Sequence, residues 1–139
     1  MGGQFGSVVN EQKRAVLIVE DFENTAMLLE MAVSAIPGVS VLMAKSGTEA
    51  LRILNRDETA VDAIVTDLNM PRMDGFELIA RIRRETRFAG TPIIVVSADT
   101  DPKTPDRVAG LGVEAFFAKP YSPAQVRRKL EQLLNVTSQ

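Results

Sequence analysis

Five side chains in this 139-residue sequence are of the kinds that handle phosphate and hard cations, and each follows an apolar run: Glu20 and Asp21, Asp67, Ser97 and Lys119. Carboxylates brought to one place repel each other unless a cation neutralises them. An oxygen donor set too small to wrap Ca²⁺, with no nitrogen or sulfur ligand on offer, suits Mg²⁺, which keeps waters and meets phosphate oxygens. Lys119 would supply a fixed positive charge and Ser97 a hydroxyl donor. Acid, cation, hydroxyl and ammonium together make a phosphoryl-acceptor site with a carboxylate nucleophile. Taken singly, each residue has an ordinary explanation. Asp21 or Asp74 would be a solvated loop acid or helix cap, Lys119 a surface charge and Ser97 a turn hydroxyl. The weight lies on the set.

The elements that must bring the set together alternate along the chain. Buried-strand patterns at Ala15 to Val19, Val39 to Ala44, Ala63 to Thr66, Pro92 to Val96 and Val113 to Ala118 are separated by helical segments, which implies βαβ units and a parallel sheet covered on both faces. A first helix is expected over Phe22 to Ile36, with Met27, Leu28, Met31, Ala32 and Ile36 as its inward stripe. Further helices are expected over Glu49 to Asn55 and Phe76 to Glu85. Thr104 should cap a short fourth helix with Pro105 at its first position. The fifth helix has the fullest signature: Ser122 as cap, Pro123 at the first position, Gln125 closing a capping box, a Tyr121–Val126 staple, and a stripe of Val126, Leu130, Leu133 and Leu134. Phe116 and Phe117 are adjacent in a strand, so one must face each side of the sheet. In such an open sheet ligands bind beyond the carboxyl ends of the strands, where the five polar residues stand.

Bulk properties narrow the remaining possibilities. The length and the 45% hydrophobic content fit one compact domain over residues 13–136, with a flexible lead-in over 1–12 and a tail over 137–139. The net charge of -2 argues against a nucleic-acid surface, and the lack of Cys and His removes thiolate, zinc and imidazole chemistry. No apolar run is long enough to span a bilayer, so a cytoplasmic protein is expected.

The stretch Asp67-Leu68-Asn69-Met70-Pro71-Arg72-Met73-Asp74-Gly75-Phe76-Glu77-Leu78, with Val96-Ser97-Ala98 and Ala118-Lys119-Pro120, resembles the receiver domains of two-component response regulators, chemotaxis regulators among them. The resemblance covers about Ala15 to Leu134. It implies a flavodoxin-like α/β fold, a five-stranded parallel doubly wound sheet of order 2-1-3-4-5 with five helices. It implies that Asp67 takes a phosphoryl group from a histidine on a sensor kinase or histidine phosphotransfer protein, or from a small phosphodonor. Glu20, Asp21, Asp67 and the main-chain carbonyl of Asn69 would organise Mg²⁺, for which Mn²⁺ could substitute. Glu20 stands where Asp is commoner and would reach the metal through water. Ser97 would be the hydroxyl that moves towards the phosphoryl group, Phe116 the aromatic switch, and Lys119 the partner of the phosphoryl oxygens, its bond to Pro120 commonly cis. Asn69 and Asp99 match positions that set phosphate lifetime. A downstream protein would read the face of helix four, strand five and helix five, the domain acting as a monomer or a weak phosphorylation-dependent dimer. The loop Asp99 to Asp106, with Pro102 and Pro105, departs from the common pattern.

Two other readings use the same residues. A haloacid-dehalogenase-like phosphatase also has an Asp nucleophile and Mg²⁺, but wants a second Asp two residues on, where this sequence has Asn69. A receiver-like interaction module that is never phosphorylated would not need the intact acids, Ser97 and Lys119.

Overall fold

The computed structural model describes residues 13–56 and 60–136; the expected lead-in and tail lie outside them. The elements are β1 (Arg14–Val19), α1 (Glu23–Ser34), β2 (Val39–Ala44), α2 (Gly47–Leu54), β3 (Ala63–Asp67), α3 (Gly75–Arg84), a short 3₁₀ turn (Thr86–Phe88), β4 (Ile93–Ser97), α4 (Thr104–Ala109), β5 (Ala115–Ala118) and α5 (Pro123–Leu134). The five strands form one parallel sheet in the order β2-β1-β3-β4-β5, as the resemblance implied.

Strand alternation divides the core into two layers. Leu17, Val19, Ile64, Ile93 and Val95 face α2 and α3, joined by Val108 of α4, while Val16, Ile18, Val65, Ile94 and Val96 face α1 and α5. Every residue of β3 and β4 is buried; the strands are apolar through Val65 and Val96 and turn polar only at their carboxyl ends, Thr66-Asp67 and Ser97. Phe116 packs on the first layer and Phe117 on the second, facing opposite ways as adjacent strand residues must.

Three local expectations need correction. In α1 the buried residues are Leu29 and Val33, followed by Ile36, whereas Met27, Leu28 and Met31 are 53%, 52% and 65% exposed. Apolar residues occur on several faces of this helix, and the i, i+4, i+7 series of Leu29, Val33 and Ile36 is the one that meets β1 and α5. Thr104 is not a cap: α4 starts at Thr104 after Lys103, with no capping side chain, and Pro105 is the second residue. Strand β5 begins at Ala115 rather than Val113, because Gly112 turns the chain at φ 79° and Glu114 instead ties β5 to β4 through Ile93. The α5 capping box is present, with Ser122 Oγ accepting from Ala124 N at 3.2 Å and Gln125 Oε1 accepting from Ser122 N at 3.4 Å. Val126, Leu130 and Leu134 are buried, and Tyr121 and Leu133 pack against the same layer.

One residue that no motif singled out braces the end of the sheet opposite the polar residues. The Arg83 guanidinium donates to the carbonyl oxygens of Phe88, Thr91 and Gly112, each at 2.8 Å, and reaches Glu114 at 3.4 Å. It ties together the turns that lead into β4 and β5. Arg83→Ala should lower stability by about 2 kcal/mol, since charge-assisted bonds to partly buried carbonyls are lost together. The check is the midpoint of urea unfolding against that of the wild type.

Candidate phosphoryl-acceptor site

Sheet register assembles the site. Val19 pairs with Thr66, so Glu20 and Asp67 leave neighbouring strands side by side; Asp67 pairs with Val96 and Ser97 with Ala118, which sets Ser97 and Lys119 at the same edge. Strand order reverses on either side of β1, and the crevice opens beyond the carboxyl ends of β1 and β3. Local structure then fixes the loop after Asp67. Asp74 caps α3, its Oδ1 accepting from Glu77 N at 2.9 Å, and Gly75 N donates to Leu68 O at 2.9 Å. The ordinary reading of Asp74 as a helix cap therefore holds.

Ligand oxygens of Glu20, Asp21 and Asp67 lie within 4.8 Å of one another. Glu20 and Asp67 are buried and Asp21 is exposed, so the cluster has one open side. The ammonium of Lys119 lies 3.0 Å from Asp67 Oδ2 and 3.4 Å from Glu20 Oε1. Asp67 Oδ1 accepts from Asn69 N at 3.0 Å, and Glu20 Oε2 accepts from Phe22 N at 3.1 Å. Ser97 Oγ donates to Asn69 Oδ1 at 3.1 Å and accepts from Asp99 N at 3.0 Å. The Lys119–Pro120 bond is cis.

The electrostatics record an excess of carboxylate over ammonium. Burial pushes the Glu20 carboxyl up to about 7; the Phe22 N–H opposes that rise and the Asp67 charge adds to it. For Lys119, burial acts to lower the pKa, but the hydrogen bond and charge of Asp67, with Glu20 behind them, outweigh it and the net shift is upward. The Tyr121 hydroxyl is also raised, by burial first and then by Glu20 and Asp67. Hard oxygen donors, mutual repulsion and a single ammonium are a set that Mg²⁺ would complete.

A pH dependence follows from Glu20. A carboxyl whose folded pKa lies above its ordinary value of 4.5 binds more protons folded than unfolded, so stability falls as pH rises from about 4.5 through about 7. Asp21, Asp67, Lys119 and Tyr121 are the groups around it. A divalent ion needs the ionised form, so Mg²⁺ should raise the melting temperature more on the alkaline side of this window than on the acid side. Scanning calorimetry across the window, with and without Mg²⁺, checks this, and an equal Mg²⁺ effect on both sides would count against it.

The other expected residues stand at different distances from this centre. Phe116 is on β5 beside Val95, half-buried in the core rather than in the cluster. The Asp99 carboxylate turns to its own loop, accepting from Asp101 N at 2.8 Å and from Thr104 Oγ1 at 3.0 Å. Thr104 was not among the expected site residues. In sequence, the signal is an Asp and a Thr five residues apart with prolines at 102 and 105.

A parallel sheet of this order with three acids gathered at its switch point defines a flavodoxin-like domain with a candidate site for a hard cation. The family profile described as Response regulator receiver domain matches residues 16–131. A chemotaxis protein CheY homolog of Campylobacter jejuni is 30% identical over 123 residues, 88% of this chain and 94% of that protein. The probable transcriptional regulator ycf27 of Porphyridium aerugineum is 33% identical over 88% of this chain but only 49% of its own length. Among solved structures, the chemotaxis response regulator CheY4 of Vibrio cholerae superposes with a TM-score of 0.77 at 26% identity, over 88% of this chain and 99% of that one. The chain belongs to the response regulator receiver domain family of two-component systems. No helix among the described residues is long and apolar enough to cross a membrane.

Proposed function

We propose that Asp67 is the phosphoacceptor of this receiver domain, taking a phosphoryl group from a phosphohistidine on a sensor kinase or histidine phosphotransfer protein. The observation that carries this reading is the Asp67 carboxylate itself, 4% exposed, paired at 3.0 Å with Lys119 and within reach of Glu20 and Asp21. An Asp67 oxygen attacks phosphorus, the P–N bond to the donor breaks, and the imidazole nitrogen leaves with the electron pair. These 139 residues hold no His, so the phosphohistidine lies outside them. Glu20, Asp21, Asp67 and the Asn69 carbonyl would hold Mg²⁺ or Mn²⁺, Glu20 by way of water. The ion would neutralise charge that builds on the phosphoryl oxygens.

This chain's own residues do the rest. Lys119 already binds Asp67 Oδ2 and is placed to hold a phosphoryl oxygen. Ser97, now bonded to Asn69, would turn its hydroxyl to the new dianion, leaving room for Phe116 to rotate and changing the face of α4, β5 and α5 that a downstream protein reads. Asn69 and Asp99 would tune phosphate lifetime. With Asn69 at the position of a second acid, the domain acts as a switch that catalyses only its own phosphorylation and dephosphorylation, and phosphate monoesters should not be turned over. The exposed Phe22, Met27, Leu28 and Met31 lie on and before α1, which follows directly from Glu20 and Asp21, and offer the phosphodonor an apolar landing next to the crevice. A cytoplasmic setting, with the domain as a monomer or weak phosphorylation-dependent dimer, accords with this role.

Beryllofluoride with Mg²⁺ mimics the phosphoryl group and tests the reading directly. It should shift the amide resonances of Ser97 and Phe116. Unchanged spectra at saturating ligand would remove the support for Asp67 as acceptor.

A further inference from the structure

We infer that the Asp99–Thr104 hydrogen bond is the link by which movement of Ser97 displaces α4, which makes Thr104 a positioning residue for signal output. This rests on the reading of Asp67 as phosphoacceptor and adds to it a route and a residue. The route is an unbroken chain of hydrogen bonds. Ser97 Oγ accepts from Asp99 N at 3.0 Å, Asp99 Oδ2 accepts from Thr104 Oγ1 at 3.0 Å, and Thr104 is the first residue of α4. The loop between them is cross-braced. Asp99 Oδ1 accepts from Asp101 N at 2.8 Å, Asp101 Oδ1 from Lys103 N at 2.9 Å, and Asp101 O from Thr104 N at 3.0 Å, while Pro102 and Pro105 restrict φ on either side of Lys103 and Thr104.

A loop braced in this way moves as a unit instead of absorbing motion at one end. When the Ser97 hydroxyl leaves Asn69 for a phosphoryl oxygen, Asp99 N must follow it or lose its acceptor. If it follows, the carboxylate of Asp99 carries Thr104 with it. Thr104 is 4% exposed, so its hydroxyl has no ready water to replace Asp99. The rest of α4 is lightly held: it is short, with Val108 buried beneath it and Arg107 lying over the Phe76 ring of α3 at 3.7 Å from the centroid. Such a helix can shift when its first turn is pulled.

The test uses the whole chain with beryllofluoride and Mg²⁺, read by amide resonances at two places. In the wild type both the Ser97–Phe116 region and the α4 residues Arg107 and Val108 should shift. Thr104→Val keeps the shape and removes the donor; the Ser97 and Phe116 shifts should remain and those of Arg107 and Val108 should be lost. Thr104→Ser restores the hydroxyl and should restore the α4 shifts. Asp99→Ala removes the carboxylate that Thr104 binds and should likewise lose the α4 shifts; it carries the test if Thr104→Val does not fold. Full α4 shifts in Thr104→Val, or in Asp99→Ala where that variant stands in for it, would overturn the coupling while leaving Asp67 as acceptor. No shift at Ser97 in the wild type would overturn the acceptor reading, and the coupling with it.

Discussion

Asp67→Asn protein treated with acetyl phosphate and Mg²⁺ is expected to show no gain of a phosphoryl group by intact mass, while the wild type is converted. The substitution keeps the shape of the side chain but ends its ion pair with Lys119. Asn keeps the volume of a side chain that is 4% exposed, and retains an oxygen to accept from Asn69 N. It removes the nucleophilic carboxylate and one of three charges in the acidic cluster. Mg²⁺ affinity should therefore fall as well, by about tenfold, read from the Mg²⁺-dependent shift in melting temperature. The same loss of charge should let the Glu20 carboxyl relax downward, because Asp67 is one of the causes of its rise. A variant that still gained phosphate at the wild-type rate would place the acceptor on another residue.

Gly75→Ala should be more damaging than the same change at Gly47, Gly90 or Gly110. A Cβ at Gly75 would lie 2.5 Å from Asp67 O, 2.6 Å from Leu68 Cα and 2.9 Å from Leu68 Cδ2. Two of these are backbone atoms of the acceptor loop, so relief requires moving Asp67 itself or backing α3 away from the sheet. The expected cost is about 3 kcal/mol, with phosphodonor uptake reduced even in the folded fraction. Gly90→Ala is the control: a Cβ there meets nothing within 4 Å, and stability should change by less than about 0.5 kcal/mol. Urea unfolding of the two variants, with intact mass after a phosphodonor, separates a loop-specific effect from a general intolerance of Ala.

Much of the site is legible in the amino-acid sequence, and for one reason. In a parallel sheet buried on both faces a strand is a continuous apolar run, so the first polar residue after it marks the carboxyl edge. Glu20, Ser97 and Lys119 stand out in that way, and Asp67 one residue later, after Thr66. The α5 capping box is legible because capping is a contact between near neighbours in sequence. The buried stripe of α1 is not, because Met27, Leu28 and Met31 are as apolar as Leu29 and Val33, and periodicity in a helix apolar on several sides does not select a face. Thr104 looks like a cap because Thr before Pro is a common helix start, whereas its hydroxyl is taken by Asp99, five residues earlier. Arg83 gives no signal because its partners are carbonyl oxygens, which every residue type carries alike.

What the sequence by itself determined about this protein is local: the number and kind of elements, their alternation, the N-terminal cap of α5, and which polar side chains end the apolar runs. These depend on periodicity and on contacts within a few residues. Only the tertiary structure decided the rest. Register set Glu20 beside Asp67 and Ser97 level with Ala118, packing chose Leu29 and Val33 over the methionines, and the β4–α4 loop closed through Asp99 and Thr104. Those outcomes belong to surfaces meeting across the chain, and their free energy resides in both partners together rather than in either segment alone.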